Sequence, residues 1–275
     1  MADDNKTAIQ GKARDLSPVA LGWRLFSLDL KRKYRGRKTL FLLAVQLLPA
    51  FIVGLALIWQ DMEGIALFEG AVESVYIPLL LPLTALFFGG PTVVDEVEGQ
   101  TITYLTLRPL SRTTLYLAKL ATSVCLAVAV SVVPILILFG ICTIGGIIGA
   151  DGAFALLGSS IATVAFGAVA YTAIFALLGV VFSATLLPGI VYYVVFELIL
   201  GAIPVIEMIS LKFHLRLMGG FDTGEGGAIR ETLEQMLLDQ ALTFEWWFGL
   251  IFTTLATAGA VVLGALLFKN RQFHV

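Results

Sequence analysis

Six stretches of this chain, 39–59, 75–94, 114–141, 155–182, 188–206 and 246–268, carry at most one charged side chain each. Each is close to or above the roughly 20 helical residues that cross a hydrocarbon core about 30 Å thick. Backbone in lipid has no water to bond, so each stretch must satisfy its own N–H and C=O groups as a helix. Composition points to the same solvent. Hydrophobic residues make up 58% and charged residues 14%, against roughly 45–50% and about 25% in soluble domains. The expected fold is an all-α integral membrane protein of one domain, 1–275. A cytoplasmic or interfacial segment occupies 1–38, six transmembrane helices lie within 39–268, and a tail covers 269–275.

Pro49, Pro82, Pro134 and Pro204 lie inside the apolar stretches, where neighbouring helices can satisfy the carbonyls they free, so they predict kinks. The two cysteines, Cys125 and Cys142, are 17 residues apart in one stretch. That separation is about 25 Å along a helix, too far for a disulfide, and they read as small core residues. The first residues are polar and acidic, so no cleaved signal peptide is expected, and the first span serves as the insertion signal.

Lys and Arg set the orientation. Lys31, Arg32, Lys33, Arg35, Arg37 and Lys38 precede the first span; Arg108, Arg112 and Lys119 follow the second; Lys269 and Arg271 follow the last. The opposite side offers Asp61, Glu63, Glu69, Glu73 and Asp151 with no cation in those two loops. Both termini are therefore expected in the cytoplasm, in the plasma or inner membrane of a prokaryote. Lys212, Arg216 and Arg230 fall in a long third outer loop, 207–245, where acids outnumber them.

Two shorter elements remain. Ser17 and Pro18 make a helix start. Val19, Trp23, Phe26 and Leu30 then recur at helical spacing, with Arg24, Ser27 and Lys31 between them. This predicts an amphipathic helix against membrane lipids, with Trp23, Arg24, Phe26 and Lys31 at the headgroups. A cytoplasmic helix packed on the protein is the alternative. Residues 228–240 repeat Ile229, Leu233, Met236 and Leu237 on one face and predict a short outer surface helix, after a glycine-rich loop that begins at Gly219.

Catalytic groups are scarce. The only histidines are His214, placed in the outer loop, and His274, in the tail, so a buried histidine-based hydrolase is disfavoured. No cluster has metal-ligand spacing. Gly11-Lys12-Ala13 lacks the features of a phosphate-binding loop, so ATP chemistry, if used, must come from a partner. Glycines at 140, 145, 146, 149 and 167 read as sites of close helix contact.

The segment after the second span is the most informative: Asp95-Glu96-Val97-Glu98-Gly99-Gln100-Thr101-Ile102-Thr103-Tyr104-Leu105-Thr106-Leu107-Arg108-Pro109-Leu110-Ser111-Arg112. Acids come first and bases follow. Ile102 and Leu105 would share one face of a short helix, and Pro109 would end it. Fastened at both ends to transmembrane helices, such an element can act as a lever. On composition alone an ordinary connecting loop fits as well.

This segment resembles the signature of ABC-2-type transporter permeases, in which a glutamate-rich stretch leads into Gly-Thr, a leucine-rich turn, Pro-x-Ser-Arg and a nearby Gly-Lys. Matching positions are Glu96, Glu98, Thr101, Leu105, Leu107, Pro109, Ser111, Arg112 and Lys119. Gln100 and Ala118 stand where the family has glycine. The resemblance implies that 95–112 is a cytoplasmic coupling helix, with Glu96, Glu98, Thr101, Leu105, Arg108, Pro109, Ser111 and Arg112 facing a separate ATPase subunit. It implies two permeases, identical or paralogous, with two ATPases. ATP and Mg would be bound by the ATPase, and this chain would hold no cofactor and no catalytic residue.

Glu197 is the one acidic group deep in an apolar stretch, and Tyr193, one turn earlier, is its expected hydrogen-bond partner. It lines a substrate path or a permease interface, or it is a hydrogen-bonded structural residue. Gln46 is a weaker candidate of the same kind. The expected function is ATP-driven export of a substrate that no residue here identifies. A subunit that relays motion to a periplasmic or accessory partner without moving solute is the alternative, and a membrane enzyme or scaffold is disfavoured by the missing catalytic groups. No nucleic-acid partner is expected.

Overall fold

The computed structural model describes residues 18–59, 63–92, 111–147, 151–182, 186–203, 206–221 and 246–270. All their regular structure is helical. In chain order the helices are α1 (Pro18–Tyr34), α2 (Arg37–Trp59), α3 (Gly64–Gly89), α4 (Arg112–Cys142), α5 (Ala153–Phe182), α6 (Leu186–Ile199), α7 (Leu211–Gly219) and α8 (Trp246–Asn270). Five of them, α2, α3, α4, α5 and α8, are long and apolar enough to cross a bilayer. The outer helix expected over 228–240 lies outside the described residues.

Helix α5 is the centre, packed by α3, α4, α7 and α8. A helix that is apolar all round belongs in a core. Its fully buried Ala170, Ala173 and Ala176 let those neighbours approach closely. Around it Phe68, Tyr76 and Leu81 of α3, Ile135 and Leu138 of α4, Tyr171 and Phe175 of α5 and Leu215 of α7 form the core. Helices α2 and α8 lie outermost. Phe51, Ile52 and Ile58 of α2, with Leu255, Val262 and Leu263 of α8, are exposed, as lipid-facing side chains should be.

Two stretches depart from expectation. Helix α3 starts at Gly64 rather than near 75, so Glu69 and Glu73 belong to a helix and not to an acidic loop. Its middle, Val72–Leu80, is a π-helix around Pro78; a π segment opens the regular i→i+4 ladder. The fifth stretch, 188–206, is not one helix. Helix α6 is 7 residues of α-helix followed by 7 of π-helix. At roughly 1.5 Å per residue it falls short of a 30 Å core. A 3-10 turn, Leu200–Ala202, follows, and Ile203 is extended (φ −97°, ψ 116°). Pro204 explains this, since the residue before a proline is pushed out of the helical region. Pro204 thus ends a helix where a kink was expected.

After a second 3-10 turn, Ile206–Ile209, α7 resumes. Contacts order the two pieces along α5: Gly189 abuts Phe175, Gly167 abuts Leu215, and Gly219 abuts Thr163. Advancing along α6 and α7 therefore means retreating along α5, so the pair forms a broken path antiparallel to it. Lys212, His214 and Arg216, expected in the outer loop, are in α7 and packed in the bundle.

The glycine expectations divide. A Cβ at Gly145 or Gly167 would meet atoms closer than 3.0 Å, whereas at Gly140 it meets nothing, Gly146 is a turn residue at φ 76°, and Gly149 lies outside the described residues. The tightest backbone approaches were not expected: a Cβ at Gly89 would sit 2.5 Å from the Thr172 carbonyl, and one at Gly249 would sit 2.4 Å from that of His214. Gly89→Ala should therefore destabilise the purified protein by about 1–3 kcal/mol through overpacking. Gly140→Ala, in open space, should be neutral or stabilising by up to about 1 kcal/mol. Thermal unfolding of the two variants side by side checks this. Equal midpoints would mean that α3 and α5 are not in backbone contact.

Candidate functional site

The motif segment lies mostly outside the described residues, so Glu96, Glu98, Thr101, Leu105, Leu107, Arg108 and Pro109 have no described geometry. Its two anchors do. At the near end, Thr92 donates from Oγ1 to the Phe88 carbonyl (3.1 Å) and to Ser123 Oγ of α4 (3.0 Å). At the far end, Ser111 is the N-cap of α4, with extended backbone and its Oγ accepting from the Thr114 amide at 3.1 Å. Ser123 lies 12 residues past Ser111. Helix α4 therefore projects about 18 Å beyond the level at which α3 is tied to it.

Ser111 is thus a structural member of the motif. Replacing it by alanine should cost α4 about 1 kcal/mol, and by glycine only a few tenths. Thermal unfolding or amide exchange in the first turn of α4 measures the difference; identical behaviour of alanine and glycine would remove the cap assignment. Arg112 occupies the first helical position, where a cation opposes the helix dipole. Lys119, about two turns further along, is half-buried.

Helix α1 packs on the same end of α4, and a Cβ at Gly22 would touch Thr114 Cγ2 at 3.2 Å. Leu25 and Leu30 turn toward the bundle, while Trp23 is 68% exposed and stacks on the half-buried Phe26 at 5.2 Å. Arg24 and Lys31 are exposed, and because Trp23 is exposed while Leu30 packs on the core, those two do not share one buried face.

Glu197 is buried where the broken path is interrupted. Its Oε2 accepts from Ser210 Oγ at 2.6 Å and from the Lys212 amide at 3.1 Å, and its Oε1 accepts from the Leu211 amide at 3.2 Å. Those amides open α7, so this carboxylate from the end of α6 caps α7 from outside it. An acid suits the positive end of a helix dipole. The opposite end is matched too. Gly220, at φ 70°, closes α7 with Gly220 N–H on the Leu217 carbonyl and Phe221 N–H on that of Arg216. Arg216, in the last turn, pairs with Glu73 of α3.

Tyr193 does not bond Glu197. Its hydroxyl donates to the Pro78 carbonyl at 2.8 Å. Pro82, four residues on, has no amide hydrogen to offer that carbonyl. The Tyr193 hydroxyl of α6 donates to it instead. His214 is buried, not in a loop: its Nδ1–H donates to the Ser210 carbonyl at 3.0 Å, and its ring stacks on Phe252 at 3.7 Å. Gln46 joins three helices, donating from Nε2 to Thr84 Oγ1 at 2.7 Å and, at 3.4 Å, to Ser131 Oγ, while Tyr76 donates to its backbone carbonyl at 2.9 Å.

Among the described residues no three His, Cys, Asp or Glu side chains could hold a metal. Among the described residues, Thr92 just past α3 is tied to Ser123 of α4, and Glu73 of the same helix α3 pairs with Arg216 on the split path. Sequence reasoning missed Ser210 and the Arg216–Glu73 pair. The signal for α7 was present, a serine before an amphipathic run that ends in Gly-Gly, but Glu73 and Arg216 are 143 residues apart.

A family model described as an ABC-2 family transporter protein matches residues 30–201, more than half of the chain. No curated protein matches it.

Proposed function

The chain belongs to the ABC-2 family of transporter proteins, and on that premise we propose that it is the permease subunit of an ATP-driven exporter whose ATPase is a separate polypeptide. The family is a multi-pass membrane family of transport subunits that are not themselves catalytic and generally work with an ABC ATPase.

In this reading residues 95–112 form the coupling helix. The observation that carries it is the pair of tethers, Thr92 on Ser123 and Ser111 at the start of α4, which make one cytoplasmic element pull on two spans. The tail and the N-terminal segment share that side, the prokaryotic inner membrane faces it, and α1 lies in its interface. Helices α6 and α7 together supply the remaining crossing, the fifth in chain order, with its irregular backbone where protein rather than lipid meets it. Two permease copies or paralogues and two ATPases form the working unit. ATP and Mg sit in the ATPases, whose closure moves the coupling helices.

Cross-linking tests this directly. With Cys125 and Cys142 replaced by alanine, a cysteine at Leu105 should cross-link to the co-expressed ATPase, and more or less strongly as nucleotide is added. No link to an ATPase in any nucleotide state would end the proposal. A reconstituted complex that hydrolyses ATP and moves no solute would instead indicate transmission of motion to an outer partner.

A further inference from the structure

A cleft opens where α1 meets α2. Its lining includes Arg32 and Lys33 from the last turn of α1, Arg37 and Lys38 from the first turn of α2, and Phe87 and Pro91 from the end of α3, around about 230 Å³. Four cations in one cleft repel each other and need a counter-charge. Among the described residues Asp29 supplies one, 3.1 Å from Lys33 Nζ. Among the described residues three positive charges are left over.

The backbone adds to them. The first hydrogen bond of α2 runs from Leu40 N–H to the Gly36 carbonyl, so the amides before it form the positive end of α2 beside the cleft. The competing negative end of α1 is partly covered: the Lys33 carbonyl already accepts from Gly36 N–H at 3.0 Å and from Thr39 Oγ1 at 2.7 Å. The opposite wall, Phe87 and Pro91, is apolar. The depth is fixed as well, because Arg37 and Lys38 begin an apolar span and must sit where headgroups meet hydrocarbon.

The geometry points to an anionic phospholipid as the occupant. Its phosphate lies among Arg32, Arg37 and Lys38, and its glycerol and first acyl carbons lie along Phe87 and Pro91. A basic cleft between helices at the membrane surface is suited to such a headgroup. A bound lipid here bridges α1, α2 and the end of α3, and Thr92, three residues past α3, is the near tether of the motif segment. It therefore clamps the base of the coupling element. This proposal does not depend on what is transported or on whether an ATPase is bound.

Thermal unfolding of the purified full-length chain, titrated with phosphatidylglycerol, phosphatidylcholine or inorganic phosphate, tests it. Phosphatidylglycerol should raise the midpoint by about 3 °C or more, with no shift from the other two. Removing two cations as Arg32→Gln with Arg37→Gln should weaken the phosphatidylglycerol effect roughly thirtyfold in concentration. A cation removed outside the cleft, as Lys269→Gln, should leave it unchanged. Equal shifts from the two lipids, the full shift from phosphate alone, or as great a loss in the Lys269→Gln variant as in the double variant would overturn the assignment. The wild-type lipid series decides alone if the Arg32 and Arg37 variant fails to fold.

Discussion

Glu197→Ala should lower stability by about 2–4 kcal/mol, the largest loss expected of any single polar side chain in the bundle. The two amides and the hydroxyl that now meet the carboxylate would face a cavity. The hydroxyl can turn elsewhere, but the Leu211 and Lys212 amides belong to a helix start that has no other cap, since Ser210 caps nothing with its own side chain. Glu197→Gln keeps one carbonyl oxygen. Placed toward Ser210 and Lys212, it sacrifices only the Leu211 bond, which should cost about 1 kcal/mol. Transport should fall in step with the unfolding midpoint, nearly lost in alanine and largely kept in glutamine. A glutamine variant with wild-type stability and no transport would show that the carboxylate acts on cargo or at a subunit interface and not as a cap.

Substitutions in the proposed coupling segment should act oppositely, abolishing function with little loss of stability. Glu96→Lys, Arg112→Glu and Pro109→Ala are each expected to remove ATP-dependent transport while leaving expression and unfolding near wild type. Arg112→Glu is the sharpest case. The dipole of α4 disfavours a cation at that position, so glutamate there should slightly stabilise the isolated helix, by up to about 1 kcal/mol. A gain in stability with a loss of coupling separates a docking role from a folding one. Full ATPase stimulation and transport in all three variants would place the motor contact elsewhere.

Much of this fold was legible before any coordinates. Five of the six apolar stretches contain continuous spanning helices, whereas the cap that Ser111 supplies to α4 had been read only as a motif position. The fifth stretch misled because apolarity reports burial and not continuity. The break at Ile203 was written in the following proline, yet Pro49 and Pro134 sit inside unbroken helices, so the residue type alone does not decide. The sequence Lys212 to Arg216 looked like loop because its charges had no visible partner. Glu73 pairs with Arg216, Glu197 accepts from the Leu211 and Lys212 amides, and the Phe252 ring stacks on His214, partners from three other helices.

Transfer from water to lipid is close to additive along the chain, so a string of residues suffices to settle the solvent, the helical class and the approximate spans. Which carboxylate caps which helix, and which glycine admits which backbone, depends on side chains meeting across tens of residues. Only packing around α5 brings Glu197 to Leu211, Arg216 to Glu73 and Gly89 to Thr172. The energies there come from unmet hydrogen bonds and close contact, which no local property of the chain encodes.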